Sequence, residues 1–161
     1  MIRHAKPADH PAIRAVVEAA FETAAEADLV ERLRAGGDVM FELVEEDDGE
    51  IVGHILYSRL WADSVNLYAA LAPLAVRPDR QRTGVGKRLT AASIDTARDF
   101  GAHAVIVLGH PDYYPKFGFS RDAAARVKSP YSASPAFMAL QLEDGALDYP
   151  VLVAYPDAFN S

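Results

Sequence analysis

The 161-residue sequence contains no cysteine, which excludes disulfide bonds, thiolate zinc sites and a cysteine nucleophile. It also has no apolar run long enough to cross a bilayer or to form the core of a signal peptide, so we expect a soluble, cytoplasmic protein with no membrane partner. The five histidines show no metal-ligand spacing and the acids form no calcium loop, so no metal is predicted. Ser58 and Ser93 lack a neighbouring histidine and a glycine elbow, which disfavours covalent serine catalysis.

Half of the residues are hydrophobic, which is enough apolar surface for one domain of this size. We expect a single domain over residues 1–161, with a core at about 1–145 and a C-terminal strand and tail at 146–161. The net charge of −7 argues against a nucleic-acid partner. Residues 77–88 are an exception, because five basic residues and one acid give this segment +4 and leave −11 for the rest.

Hydrophobic spacing predicts three helices and a set of strands. The helices are expected at residues 10–21, where Asp9 would cap the first turn, at 24–34, ending at Gly36-Gly37, and at 84–100. An Asp48-Gly49 hairpin should join strands 40–45 and 51–59. Further strands are expected at 65–76, 104–108, 136–143 and 151–155, and Pro73 predicts a bulge in the first of these.

The segment RPDRQRTGVGKRL, residues 77–89, lies where a strand meets a helix, and such a junction binds anions through free backbone N–H groups. The spacing excludes a Walker loop, because Gln81 stands where that loop needs its first glycine and Arg88 where it needs a hydroxyl. Leu89 stands where a dinucleotide fingerprint needs its third glycine. What remains is the pattern Q/R-x-x-G-x-G at residues 81–86, which predicts a phosphate-bearing ligand.

This pattern resembles the loop of the GCN5-related N-acetyltransferases (GNAT family), which holds the pyrophosphate of acetyl-coenzyme A. A second segment, VLGHPDYYPKFGF at residues 107–119, resembles the later Y-x-x-x-G-F signature of that family, and together the two segments resemble its YhbS-like bacterial branch. The resemblance implies that acetyl-CoA contacts the backbone of a splayed strand and then the loop. The implied contacts are Leu74, Ala75, Val76, Gln81, Arg82, Thr83, Gly84, Val85, Gly86 and Lys87.

The same resemblance implies that Tyr114 protonates the departing thiolate. A phenol is protonated at neutral pH, as a general acid must be. Many relatives place a glutamate base on the strand before the loop, but residues 66–76 contain no carboxylate. The alternatives are His54, Glu26, a chain of waters, or an acceptor that arrives neutral. His110 would lie near the thioester or cap its own turn.

The implied fold is α/β, a single GNAT domain with a mixed, mainly antiparallel sheet flanked by helices and opened as a V at the cofactor site. The implied activity is transfer of an acetyl group to an amine in a ternary complex. A non-enzymatic acyl-CoA-binding module and a general nucleotide-binding protein remain as alternatives. Twelve acids against two arginines over residues 18–50 would suit a cationic acceptor, or form a solvated surface. Exposed late strands could pair across a homodimer.

Overall fold

The computed structural model describes residues 1–62 and 67–160. Its helices are α1 (His10–Phe21), α2 (Ala25–Ala35) and α3 (Val85–Asp99). Its strands are β1 (Ile2–His4), β2 (Val39–Asp47), β3 (Glu50–Ala62), β4 (Tyr68–Val76), β5 (Ala104–Leu108), β6 (Val127–Lys128), β7 (Phe137–Gln141) and β8 (Val151–Ala154). Residues 65 and 66 of the strand expected at 65–76 lie outside the described residues. None of the helices described is long and apolar enough to span a membrane.

The main sheet is mixed and mainly antiparallel, as expected. Its strand order is β1-β2-β3-β4-β5-β7, and within it only the pairing of β4 with β5 is parallel among the described strands. β8 does not extend this order; it pairs with the end of β3 and, in parallel, with β6. β6 thus forms in a segment for which the sequence predicted no strand.

Helices cover both faces of the central strands. Gly53 of β3 allows α3 to approach closely, because a Cβ there would lie 2.6 Å from Val85 and 2.7 Å from Leu89. On another part of the core, α1 packs through Ile13, Val16 and Val17 with Ala75 of β4. The first turn of α3 is thereby pressed against the sheet where β4 ends.

Two turn predictions are confirmed and one cap prediction is wrong. Asp48 and Gly49 both have positive φ, 51° and 77°, as a tight hairpin between β2 and β3 requires. Gly37 has φ of 72° after α2.

Asp9, however, does not cap α1 with its side chain. Its carboxylate accepts hydrogen bonds from Arg3 and from the Lys6 backbone, which lowers the Asp9 pKa to about 2, chiefly through Arg3.

β4 bulges at the expected proline. Ile55 of β3 pairs with Leu74 and Tyr57 pairs with Leu71, so three steps along β4 oppose two along β3. The peptide bond between Ala72 and Pro73 is cis. The parallel pairing of β4 with β5 extends only from Tyr68 to Leu71, although β4 continues to Val76. The sheet therefore opens between β4 and β5 beyond Leu71.

Candidate active site

A cleft of about 720 Å³ occupies the opening between β4 and β5. The bulged half of β4, the loop before α3, the turn after β5 and the junction of α1 with α2 form its walls. Among its lining residues are Leu74, Val76, Gln81, Arg82, Gly86, Tyr114 and Glu26 from the sequence predictions, together with His110. Most of the other lining side chains are apolar.

The loop before α3 presents free backbone donors. The N–H groups of residues 82–87 find no acceptor within hydrogen-bonding distance among residues 1–62 and 67–160. Arg82 and Gly84 both adopt positive φ, 64° and 94°, so this loop departs from helical geometry immediately before α3. Successive N–H groups at a helix N-terminus form a concave site for an oxyanion such as phosphate.

Only part of the positive charge in residues 77–88 is free to meet an anion. Arg77 pairs with Asp79 and Glu50, Arg80 with Asp47, and Arg88 with Glu45. Within the described part of the chain, Arg82 and Lys87 have no ion-pair partner. Arg82 lines the cleft, so it is the cation of this segment that faces a ligand there.

Tyr114 is held in the wall of the cleft by its neighbours. Its side chain is buried, and its ring makes edge contacts with Tyr113 and Phe119, with centroids 5.0 Å and 5.6 Å apart. A Cβ on Gly109 would lie 2.3 Å from the Tyr114 ring, so the ring can occupy this position only because residue 109 is glycine. Burial, and then the neighbouring Tyr113, raise the Tyr114 pKa, so the phenol stays protonated at neutral pH.

Tyr113 connects the turn after β5 to the first turn of α3. Its hydroxyl lies 3.2 Å from the Thr90 hydroxyl, which donates to the Gly86 carbonyl at 2.8 Å. A Cβ on Gly86 would lie 3.3 Å from the same Tyr113 hydroxyl. Tyr113 therefore limits the space beside Gly86, at the edge of the candidate phosphate loop.

His54 lies away from the cleft. It is fully buried in β3, and its Nε2 lies 2.8 Å from Glu42 Oε1, while Arg34 donates two hydrogen bonds to the same carboxylate. Burial lowers the His54 pKa, which indicates a neutral ring with its proton on Nε2. Burial alone would raise the Glu42 pKa, but the hydrogen bonds from Arg34 and His54 lower it to about 2. The arrangement is that of a buried polar network in the core.

The other predicted contacts divide between surface and core. Ala75 and Val85 are buried, facing α1 and β3 respectively. Gln81 donates to the Val76 carbonyl at 3.1 Å, and Thr83 donates to the Arg80 carbonyl. Five of the predicted contacts do not line the cleft: Ala75, Thr83, Gly84, Val85 and Lys87.

Several cleft residues did not emerge from the sequence. These are Ala20, Phe21 and Leu29 at the junction of α1 and α2, Leu108 at the end of β5, Gly109 and Pro111 after it, and Ala136. Phe21 falls on the apolar stripe of α1, and that spacing predicts a core position. Its 38% exposed side chain is a property of the assembled fold.

The opened sheet, the free N–H groups at α3 and the tyrosine in the cleft wall define an acyltransferase architecture, and comparisons with known proteins agree. The acetyltransferase (GNAT) family profile matches residues 10–119, so the chain belongs to this family. It is 36% identical to the uncharacterized N-acetyltransferase YhbS of Escherichia coli K12, over 99% of this chain and 98% of that protein.

Two crystal structures with bound ligands are similar along nearly the whole chain. The E. coli GNAT family N-acetyltransferase YhbS in complex with CoA superposes with a TM-score of 0.93 at 34% identity, covering 100% of this chain and 92% of that one. A GNAT family acetyltransferase from Brucella melitensis in complex with acetyl-CoA superposes with a TM-score of 0.83 at 32% identity, covering 99% and 97%. The similarity to YhbS confirms the branch suggested by the sequence.

Proposed function

We propose that this protein transfers the acetyl group of acetyl-CoA to an amine by direct attack within a ternary complex. The observation that supports this most is the run of N–H groups at residues 82–87, which have no acceptor among the described residues. They lie beside Arg82, which forms no ion pair with any described residue, and at the end of a strand with a free edge. These groups suit a diphosphate, and the free edge of β4 suits the amides of the pantetheine arm. That similar proteins were crystallised with CoA and acetyl-CoA supports the same choice of donor.

In the proposed reaction the amine nitrogen attacks the thioester carbonyl carbon. The new N–C bond forms and the C–S bond breaks, so the sulfur leaves as a thiolate. Tyr114 gives its proton to that thiolate, because the buried phenol remains protonated and lines the cleft. The amine must lose a proton, and Glu26 is the only carboxylate among the described residues that line the cleft. We assign the proton to Glu26, directly or through water.

The absence of a carboxylate on β4 favours one alternative, an acyl-CoA-binding module without turnover. Thiol release from acetyl-CoA, measured with a panel of amines, separates the two. Turnover that depends on both the donor and an amine supports the enzyme. Tight CoA binding without turnover on any amine supports the module, and equal binding of ATP or NAD would overturn both proposals.

A Tyr114→Phe variant tests the role of the phenol. No described residue hydrogen-bonds to the Tyr114 hydroxyl, so its removal should leave the fold and the acetyl-CoA KM nearly unchanged. We expect kcat to fall about 100-fold, the lower end for loss of a general acid. Tyr149→Phe is a suitable control, because Tyr149 is 70% exposed and does not line the cleft. An unchanged kcat in Tyr114→Phe would remove the proton-donor role.

A further inference from the structure

Most carboxylates of the acidic segment at residues 18–50 form ion pairs within the fold. Of its twelve carboxylates, eight form ion pairs: Glu18, Asp28, Glu31, Glu42, Glu45, Glu46, Asp47 and Glu50. Four have no such partner among the described residues: Glu22, Glu26, Asp38 and Asp48. Of these four, only Glu26 lines the cleft. Among the described residues, the one carboxylate that lines the cleft is thus also one without an ion-pair partner.

Glu26 lies in the first turn of α2 and lines the cleft together with Ala72 and Pro73 of the β4 bulge. Thr23 Oγ1 donates to Glu26 Oε2 at 3.0 Å, which fixes one carboxylate oxygen and leaves the other available. α2 packs through Val30 and Leu33 on Leu56, the β3 residue opposite the bulge. The candidate phosphate loop, in contrast, follows the far end of β4. Glu26 is therefore placed for the acceptor and not for the phosphates of the donor.

The walls of the cleft that holds Glu26 are largely apolar and incompletely covered. Phe21 is 38% exposed and Leu108 is 47% exposed, although both are large hydrophobic side chains, and both line the cleft. Ala20, Leu29 and Ala136 extend the same lining. Covering apolar surface contributes roughly 25 cal/mol per Å², so an apolar group of a ligand would bind here more favourably than a polar chain.

No permanent positive charge accompanies these walls. Arg82 is the only arginine or lysine among the described residues lining the cleft, and it belongs to the phosphate loop. An acceptor carboxylate next to the amine would therefore meet Glu26 without an arginine or lysine to offset it. We propose that the acceptor is a primary amine attached to an apolar body, with no carboxylate beside the amine. This inference rests on the proposed acetyltransferase function.

The chemistry balances without a further reactant. The acceptor arrives as an ammonium ion that Glu26 attracts, and it loses one proton before its nitrogen attacks. After the N–C bond forms, the nitrogen loses a second proton, which replaces the one that Tyr114 gives to the thiolate. The products are the N-acetylated amine, CoA with its thiol protonated, and one proton released to solvent. The same recognition would suit a free arylalkyl amine or a peptide N-terminus that begins with an apolar residue.

Thiol release from acetyl-CoA with four acceptors tests the proposal: 2-phenylethylamine, phenylalanine, spermidine and the dipeptide amide Phe-Gly-NH2. Phenylethylamine and phenylalanine share the amine and the ring and differ in the carboxylate. We expect kcat/KM for phenylethylamine to exceed that for phenylalanine at least about tenfold, the effect of one charged interaction, because phenylalanine brings a carboxylate to Glu26. It should likewise exceed that for spermidine, which lacks the apolar body. The ratio of phenylethylamine to the dipeptide amide separates a free amine from a peptide N-terminus.

Two pairs of variants test whether Glu26 and Phe21 recognise the acceptor. Glu26→Gln should lower kcat/KM for phenylethylamine about tenfold or more and leave CoA binding unchanged, whereas Glu22→Gln, which removes the same charge four residues earlier and outside the lining, should have little effect. Phe21→Ala should raise the KM for phenylethylamine. Phe21→Leu, which keeps a large apolar side chain, should have a KM close to that of the unsubstituted protein.

The outcomes separate this inference from the proposed function. Turnover that favours phenylalanine or spermidine, or that is unaffected by Glu26→Gln, overturns the acceptor class and leaves the acetyltransferase intact. Tight CoA binding with no turnover of any of the four acceptors or of a broader amine panel overturns both. Preference for either apolar amine, with loss in Glu26→Gln and not in Glu22→Gln, supports the inference.

Discussion

A Gly86→Glu variant tests the candidate phosphate loop most directly. Gly86 lies in the first turn of α3 and does not have the positive φ that favours glycine, so a side chain there costs no unusual backbone strain. A Cβ at this position would lie 3.3 Å from the Tyr113 hydroxyl and 3.6 Å from Val76. The glutamate side chain would therefore extend from a point between the loop and β4, toward the space that the diphosphate is proposed to occupy.

The magnitude follows from the charge. Two unit charges about 4 Å apart repel by about 4 kcal/mol at the effective dielectric constant of a protein surface. The cleft is open to solvent, so we discount this to about 3 kcal/mol, which corresponds to about a 100-fold rise in the acetyl-CoA KM and in the CoA Kd. Gly86→Gln supplies the same bulk without the charge and should have a smaller effect.

Calorimetric titration with CoA and thiol-release kinetics measure the two constants, and thermal unfolding shows whether the fold survives. Gly86→Ala is the matched control for the fold. Its Cβ requires a shift of only a few tenths of an ångström, and alanine favours a helix over glycine by about 1 kcal/mol, so its Tm should not fall. Raising the salt concentration should reduce the difference in KM and Kd between the Gly86→Glu and Gly86→Gln variants, because salt screens the added charge. A folded Gly86→Glu protein with unchanged KM and Kd would refute the assignment of the loop.

Two further predictions concern the cleft wall and the core. Gly109→Ala should lower kcat and disturb the Tyr114 ring, because the added Cβ would lie 2.3 Å from that ring. Near-ultraviolet circular dichroism can follow the ring, and an unchanged kcat and spectrum would contradict the contact. In the core, the lowered pKa values of His54 and Glu42 predict that the free energy of unfolding decreases as the pH falls, first below the ordinary histidine pKa of 6.5 and again between 4.5 and about 2. Both stabilising contributions should be fully present above pH 6.5. In urea titrations of Glu42→Gln the lower step should be smaller but still present, because Asp9, whose pKa is also lowered to about 2, contributes to it.

The parts of the fold that depend on neighbours in sequence were predictable. The Asp48-Gly49 turn, the end of α2 and the loop before α3 each depend on residues a few positions apart, because turn and helix-end chemistry is local. Asp9 shows the limit of such reasoning, since its carboxylate binds Arg3, which approaches it through the packing of β1. A favourable residue at a helix start does not act as a cap when a stronger partner competes for it.

The sequence predicted the candidate-site residues that belong to its two motifs. The arginines of the loop illustrate what the motif does not contain, because Arg80 and Arg88 are neutralised by β2 carboxylates 33 and 43 positions earlier in the chain. His54 illustrates the same point, since its partner Glu42 comes from the neighbouring strand and removes it from the cleft. Sequence spacing identifies residues with the required chemistry, but long-range pairing decides which of them are free to meet a ligand.

The departure of β4 from β5 connects the separate features of the cleft. Because their pairing ends at Leu71, the rest of β4 has a free edge, and β5 ends at Leu108 without a partner on that side. Gly109 follows at once, and its missing side chain admits the Tyr114 ring into the wall of the same opening. A substitution that closed the bulge at Pro73 would therefore be expected to affect donor binding and proton donation together. Changes confined to Glu26 or Phe21 would affect the acceptor alone.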